Sequence, residues 1–280
     1  MTSAKPDLLI DVDPFFITTR NGGLFASRFF THGTNPDEYL LIVPPFAEEM
    51  NKCRRMTTLL AHRLAALGMG VILIDLSGTG ESWGDFHDAS YELWLDDLAT
   101  VQDWIVAKDA RLTCVLGIRF GALPALQFAR DCQTCKQILL WQPAVSGKVV
   151  LSQFLRLRVA ANMMAQDGSG DSVASLTAAF SAGESVEVAG YNISPELFRS
   201  INELQLTELP PRTGQRIAWF QITPMKDSPI PPAGQRVIDT LTDQGANIDS
   251  RCIQGDAFWN ATEITTCDAL IDATVAMVLP

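Results

Sequence analysis

Four short apolar runs, residues 39–43, 71–76, 112–116 and 137–141, alternate with longer stretches whose apolar positions recur every three or four residues. In residues 47–67 the stripe is Met56, Leu59, Leu60, Leu64 and Leu67, and in residues 91–106 it is Leu95, Leu98, Val101 and Ile105. Strands that read as continuous apolar runs are covered on both faces, so this alternation predicts a mostly parallel sheet with helices on either side. The rhythm adds a helix over 120–130 and resumes with strands at 217–222 and 247–253 and helices at 235–244 and 261–278. Ahead of it, residues 8–12, 15–19 and 24–30 read as short strands, with Asn21-Gly22-Gly23 as a hairpin turn.

Between residues 145 and 212 the alternation stops. Helical patterns at 149–164, 172–182 and 195–204 are separated by Asp167-Gly168-Ser169-Gly170 and Gly190-Tyr191. This segment reads as a helical cap, 145–212, inserted over the carboxyl ends of the strands, where open α/β sheets bind ligands. Residues 1–144 and 213–280 then form the core. Within the cap, the apolar side of Phe154-Leu155-Arg156-Leu157-Arg158 is expected to pack inward and its arginines to be solvated or paired.

Composition narrows the function. Hydrophobic residues make up 47% and charged residues 19% of 280, which supplies one large core and excludes a disordered chain. A formal charge of −11 disfavours nucleic acid and anionic membrane surfaces as partners. The longest apolar runs are too short to span a bilayer, and residues 1–7 carry no apolar leader, so a cytoplasmic protein is expected. Oligomeric state is not legible. Cys132 and Cys135 form one C-x-x-C pair with no second pair or nearby histidine to complete a zinc site, so buried thiols are expected. No cofactor is expected, because no dinucleotide or phosphate-loop fingerprint occurs.

Two motifs sharpen the fold. Asp75-Leu76-Ser77-Gly78-Thr79-Gly80-Glu81-Ser82 follows a strand and resembles the D-x-x-G-x-G-x-S turn of α/β-hydrolases. Gly117-Ile118-Arg119-Phe120-Gly121 lies between strand and helix, where the nucleophile elbow G-x-S-x-G belongs. Together, in that order, they predict an α/β-hydrolase fold. The elbow's centre is Arg119, however, and a guanidinium stays protonated and cannot attack a carbonyl. The histidines, His32, His62 and His87, all precede the elbow, whereas the triad order places the base last. The loop where that base belongs reads Gly255-Asp256-Ala257-Phe258-Trp259-Asn260, and only Asp227 suits the acid position.

An arginine at a helix amino end adds positive charge to a spot that already favours anions, so something negative must answer it. The candidates are Glu48, Glu49 and Asp227, or an acidic ligand. Either Arg119 pairs with one of these and ties loops together, or part of its fork binds a carboxylate, phosphate or acidic sugar. Phe46, Ile118, Phe120, Ser77, Phe258 and Trp259 complete the expected pocket. Ser77 and Ser82 also have a structural use in the turn, and His87 reads as a solvated loop residue.

Longer strings carry a family resemblance. Pro44-Pro45-Phe46-Ala47-Glu48-Glu49-Met50-Asn51-Lys52 with Arg54-Arg55-Met56, Trp141-Gln142-Pro143, Val145-Ser146-Gly147-Lys148 and Val188-Ala189-Gly190-Tyr191 resemble the exosortase A system-associated hydrolase 2 family. The resemblance implies a cytoplasmic α/β-hydrolase-like protein of Gram-negative bacteria, encoded beside exosortase and exopolysaccharide genes. The missing nucleophile and base favour a catalytically dead fold that binds an acidic small molecule or an export-pathway protein; the alternative is a hydrolase or acyltransferase acting on an ester or thioester through carboxylate-activated water. In the second case Glu48, Glu49 or Asp227 would activate the water and Arg119 would hold the substrate.

Overall fold

The structure, a computed structural model, describes residues 9–165, 170–226 and 228–278. Residues 1–8, the Asp167-Gly168-Ser169 part of the cap separator and the acid candidate Asp227 lie outside them.

The chain opens with a hairpin, β1 (Ile10–Thr18) and β2 (Gly23–Thr31), and then alternates: β3 (Glu38–Val43), α1 (Glu49–Ala65), β4 (Gly70–Ile74), α2 (Tyr91–Val106), β5 (Arg111–Ile118), α3 (Ala122–Asp131) and β6 (Gln137–Trp141). Next come α4 (Gly147–Ala165), α5 (Val173–Ser181), β7 (Val186–Val188), β8 (Tyr191–Ile193) and α6 (Pro195–Asn202). The core closes with β9 (Arg216–Thr223), α7 (Pro232–Asp243), β10 (Asn247–Gln254) and α8 (Asp268–Val278).

Eight strands form one sheet in the order β1-β2-β4-β3-β5-β6-β9-β10. From β4 to β10 neighbours run parallel, and β2 is antiparallel to both β1 and β4. Alternate side chains feed two cores. Leu41, Val43 and Val115 pack with Trp94, Leu98, Val101, Leu123 and Leu126 of α2 and α3. Leu40, Ile42 and Leu116 pack with Met56, Leu60, Leu64, Leu270 and Ile271 of α1 and α8. The six cysteines are free thiols, and Cys132 and Cys135 are fully buried.

The sequence reading departs from the structure in three places. The two strands expected before residue 20 are one, running through Pro14. An edge strand tolerates proline, because its N–H side need not join a ladder. The segment expected to be a helical cap is not purely helical: β7 and β8 pair as a hairpin around Ala189 and Gly190, both at positive φ. Three-residue strands are too short to show a period. The last helix begins at Asp268 rather than 261, since the β-branched Ile264-Thr265-Thr266 stretch precedes it as irregular chain.

The glycine turn after β4 is fastened by two buried carboxylates. Asp75 accepts from Arg54 Nη2 at 3.0 and 3.1 Å and from the Glu81 N–H at 3.1 Å. Asp97 of α2 accepts from the Ser77 N–H at 2.7 Å and from Ser77 Oγ at 2.9 Å. Trp94 Nε1 donates to the Ser77 carbonyl at 3.0 Å, and the Phe25 N–H donates to Ser82 Oγ at 2.8 Å. Ser77 and Ser82 thus tie the turn to α2 and β2.

Burial pushes the Asp97 carboxyl up to about 6, against the two Ser77 hydrogen bonds that favour its charged form. The folded chain holds this proton more tightly than the unfolded chain, whose aspartates ionise near 4. The contribution is full below about pH 4 and lost as pH rises through about 6. Relative to Asp97→Asn, the wild type should therefore lose on the order of 2 kcal/mol between those limits, read from urea denaturation at stepped pH. A pH-independent difference would contradict the assignment.

Candidate functional site

The register of β3 and β5 builds the site. Val43 lies beside Gly117, so the two strands end together and their loops meet. Pro44 and Pro45 stop β3, Ala47 turns at φ 50°, and Glu49 opens α1, where a carboxylate favours the helix dipole. From β5 the chain turns sharply through Arg119, whose φ of 55° is a region that non-glycine residues avoid at a cost of about 1–3 kcal/mol. A short 3-10 turn, Arg119–Gly121, leads into α3. Gly121 permits the close approach, because a Cβ there would stand 2.5 Å from the Val43 and Pro44 carbonyl oxygens. This is the geometry of a nucleophile elbow, with arginine in the nucleophile's place.

Arg119 is answered by Glu49. Its Nη2 donates to Glu49 Oε1 at 3.1 Å, and its Nε lies 3.4 and 3.3 Å from the two carboxylate oxygens. Nη2 also reaches Gln153 Oε1 at 3.4 Å, and the Trp259 ring lies over the guanidinium at 5.1 Å. The pair is mostly removed from water, with side chains 15% and 25% exposed. Burial raises the Glu49 carboxyl above its ordinary range, even though Arg119 opposes the shift. Glu48, less buried, has Lys52 Nζ at 3.9 Å.

Above the pair lies a cavity of about 390 Å³. Phe46, Val150, Phe154, Leu157 and Trp259 form its apolar wall; Glu48, Glu49, Arg119, Gln153 and Asn260 supply polar groups. Five of the residues expected in the pocket (Phe46, Glu48, Glu49, Arg119 and Trp259) are thus brought together. Four others are not among its lining. Ile118 is fully buried in the sheet, and Phe120 packs against Phe46 and Trp94. Ser77 is held by Asp97, and Phe258 turns inward against Trp141. Elbow-flanking residues alternate between cavity and core, so loop membership alone did not distinguish them.

Five lining residues, Val150, Gln153, Phe154, Leu157 and Asn260, are not among those expected in the pocket. Four of them carry a signal: Val150, Gln153, Phe154 and Leu157 occupy one face of α4 at spacings of three and four. On the same helix Leu155 is buried, and Arg158 Nε donates to Asp171 at 2.8 Å. No histidine borders the cavity. His32 meets Asp11 at 3.0 Å, His62 packs edge-on against Phe29, and His87 Nε2 lies 3.0 Å from Ser185 Oγ. Among the described residues no group of three or more His, Cys, Asp or Glu side chains is placed to hold a metal ion, and no helix is long and apolar enough to cross a membrane.

If Glu49 is the counter-ion of Arg119, removing the arginine strands a buried carboxylate. Arg119→Ala is expected to cost about 2 kcal/mol, and adding Glu49→Gln should recover part of that loss. Denaturant midpoints of the four proteins in this double-mutant cycle test it; strictly additive effects would contradict the pairing.

Comparison with known proteins places this geometry. Three solved structures share the fold over nearly their whole length. Est1E from Butyrivibrio proteoclasticus, solved with ferulic acid, has a TM-score of 0.67 at 14% identity, covering 95% of this chain and 98% of its own. A thermostable carboxyl esterase from Bacillus coagulans gives 0.65 at 14%, covering 96% and 97%. Mouse alpha/beta hydrolase domain-containing protein 10 gives 0.57 at 13%, covering 96% of each chain. Identities this low establish the fold alone. A search of curated proteins finds no match. The family profile described as serine aminopeptidase, S33, matches residues 34–179, a span that runs from before β3 through the elbow into α5 and exceeds half the chain. By fold and by family the chain is an α/β-hydrolase-like protein belonging to the serine aminopeptidase S33 family.

Proposed function

We propose that this protein binds an acidic small molecule with an apolar body in the cavity over Arg119, and that it does so without Ser–His–Asp chemistry. The observation that carries the reading is Arg119 at the elbow, at φ 55°, with its side chain on the cavity wall. A permanently charged guanidinium cannot serve as nucleophile, whereas its planar fork suits a carboxylate or phosphate. Phe46, Phe154, Leu157 and Trp259 would hold the apolar body. In this reading residues 145–212 are a cap over the core formed by 1–144 and 213–280, and α4 is the part of the cap that touches ligand. The long strings that resemble the exosortase A system-associated hydrolase 2 family support a role beside exosortase and exopolysaccharide export, in the cytoplasm, with an export-pathway protein as the other partner class.

A second reading is favoured by one observation. Glu49 lines the cavity and its carboxyl is raised by burial, a setting that suits a general base. Glu49 would then draw a proton from water attacking an ester or thioester, while Arg119 would hold the substrate's anion; Glu48 and Asp227 are the alternative carboxylates.

An ester and thioester hydrolysis panel separates the two. On the binding reading, wild-type turnover should equal background, and aromatic carboxylates should raise Tm in the wild type but not in Arg119→Ala. Turnover clearly above background that falls at least tenfold in Glu49→Gln would replace the binding reading with the hydrolytic one.

A further inference from the structure

We propose that the cavity takes its anion together with a proton: as a ligand carboxylate docks on Arg119, Glu49 becomes protonated. This deepens the reading of the cavity as an acid-binding site and rests on it.

The geometry sets two anions in competition for one cation. Arg119 Nε and Nη2 are committed to Glu49, and among the described residues Nη1 meets no acceptor. A guanidinium has donors to spare on that edge, so an incoming carboxylate finds them there. Its arrival would leave one positive charge facing the ligand, Glu49 and Glu48, all on the same wall. Phe46, Val150, Phe154, Leu157 and Trp259 line most of the rest of the cavity, with Gln153 and Asn260 as uncharged polar groups, and in such surroundings excess negative charge is screened less than in water. Lys52 relieves little, standing 3.9 Å from Glu48 with both side chains more than a third exposed. One proton on a carboxylate restores the balance.

Glu49 is the carboxylate placed to take it. It is the more buried of the two, and burial already holds its carboxyl above the ordinary range. The charged and titratable groups that face it are Arg119 from the elbow, and Glu48, Lys52 and Cys53 from its own loop and helix. The Cys53 thiol is pushed up by burial and stays neutral. The Tyr191 hydroxyl is raised by burial and then by Glu48, with Arg54 opposing. The proton comes from solvent, an O–H bond forms on Glu49, and no other bond changes.

Calorimetry on the whole chain tests this, with phenylacetate as probe, in buffers of differing ionisation heat between about pH 6 and pH 8. Phenylacetate is ionised throughout, since free carboxyl groups titrate near 4–5. Wild type is expected to take up close to one proton per ligand at the upper end, with Kd weakening toward tenfold per pH unit. Glu48→Gln should keep the uptake, whereas Glu49→Gln should abolish it and flatten the pH dependence. The uncharged phenylacetamide should exchange no proton. Phenylacetate binding without proton exchange in the wild type would overturn the coupling and leave the acid-binding reading intact. Uptake that persists in Glu49→Gln would overturn the assignment to that residue. Absence of any phenylacetate binding would overturn the acid-binding reading itself. The wild-type measurement decides the coupling even if Glu49→Gln does not fold.

Discussion

The ion pair between Arg119 and Glu49 sets the polar character of the cavity surface at the carboxyl ends of β3 and β5. A lone guanidinium at a strained elbow, beside a helix amino end and under an apolar wall, would carry an unanswered charge out of water. Glu49 answers it from the neighbouring loop because the register of β3 and β5 ends both strands at one level. Trp259 covers the guanidinium from the loop after β10, and Gln153 reaches it from α4. Three separate segments of the chain therefore converge on the Arg119 side chain, and the cavity lies between them. Within the pair the two charges offset each other, so little of the guanidinium's charge is left unanswered.

Below that surface the fold follows the same rule at a second place. The glycine turn after β4 is the other irregular crossing at the carboxyl end of the sheet, and it too is fixed by buried carboxylates. Asp75 gathers Arg54 of α1 and the backbone of Glu81, while Asp97 of α2 holds Ser77. These contacts join both helical faces to the loop layer. The fold is that of an α/β-hydrolase, including the close packing that Gly121 permits at the elbow.

Much of this was legible in the sequence, for identifiable reasons. Buried parallel strands announce themselves as apolar runs, and amphipathic helices as periodic stripes, so the order of the core elements from β3 to β10 followed from pattern alone. The elbow was legible because its flanking glycines are demanded by geometry, whatever residue stands at the centre. Pairing was less accessible: Glu48, Glu49 and Asp227 were equal candidates for Arg119, and the register of β3 and β5 brings Glu49 to it across a sequence separation of 70 residues. The β7–β8 hairpin was hidden by its brevity, and the inward turn of Phe258 beside the cavity-lining Trp259 by the alternation of neighbouring side chains. Gln153 lay in plain view on a helical face but has no chemistry that singles it out before Arg119 is placed.

In the proposed reading Arg119, held by Glu49, forms the polar floor of a ligand-binding cavity. A crystal structure of the protein grown with phenylacetate tests it most directly. The account requires the carboxylate within hydrogen-bond distance of the Arg119 guanidinium, the ring against Phe46, Phe154 or Trp259, and Glu49 still in contact with Arg119. An Arg119 side chain turned out to solvent, with Glu49 unpaired and the cavity without ligand, would contradict it.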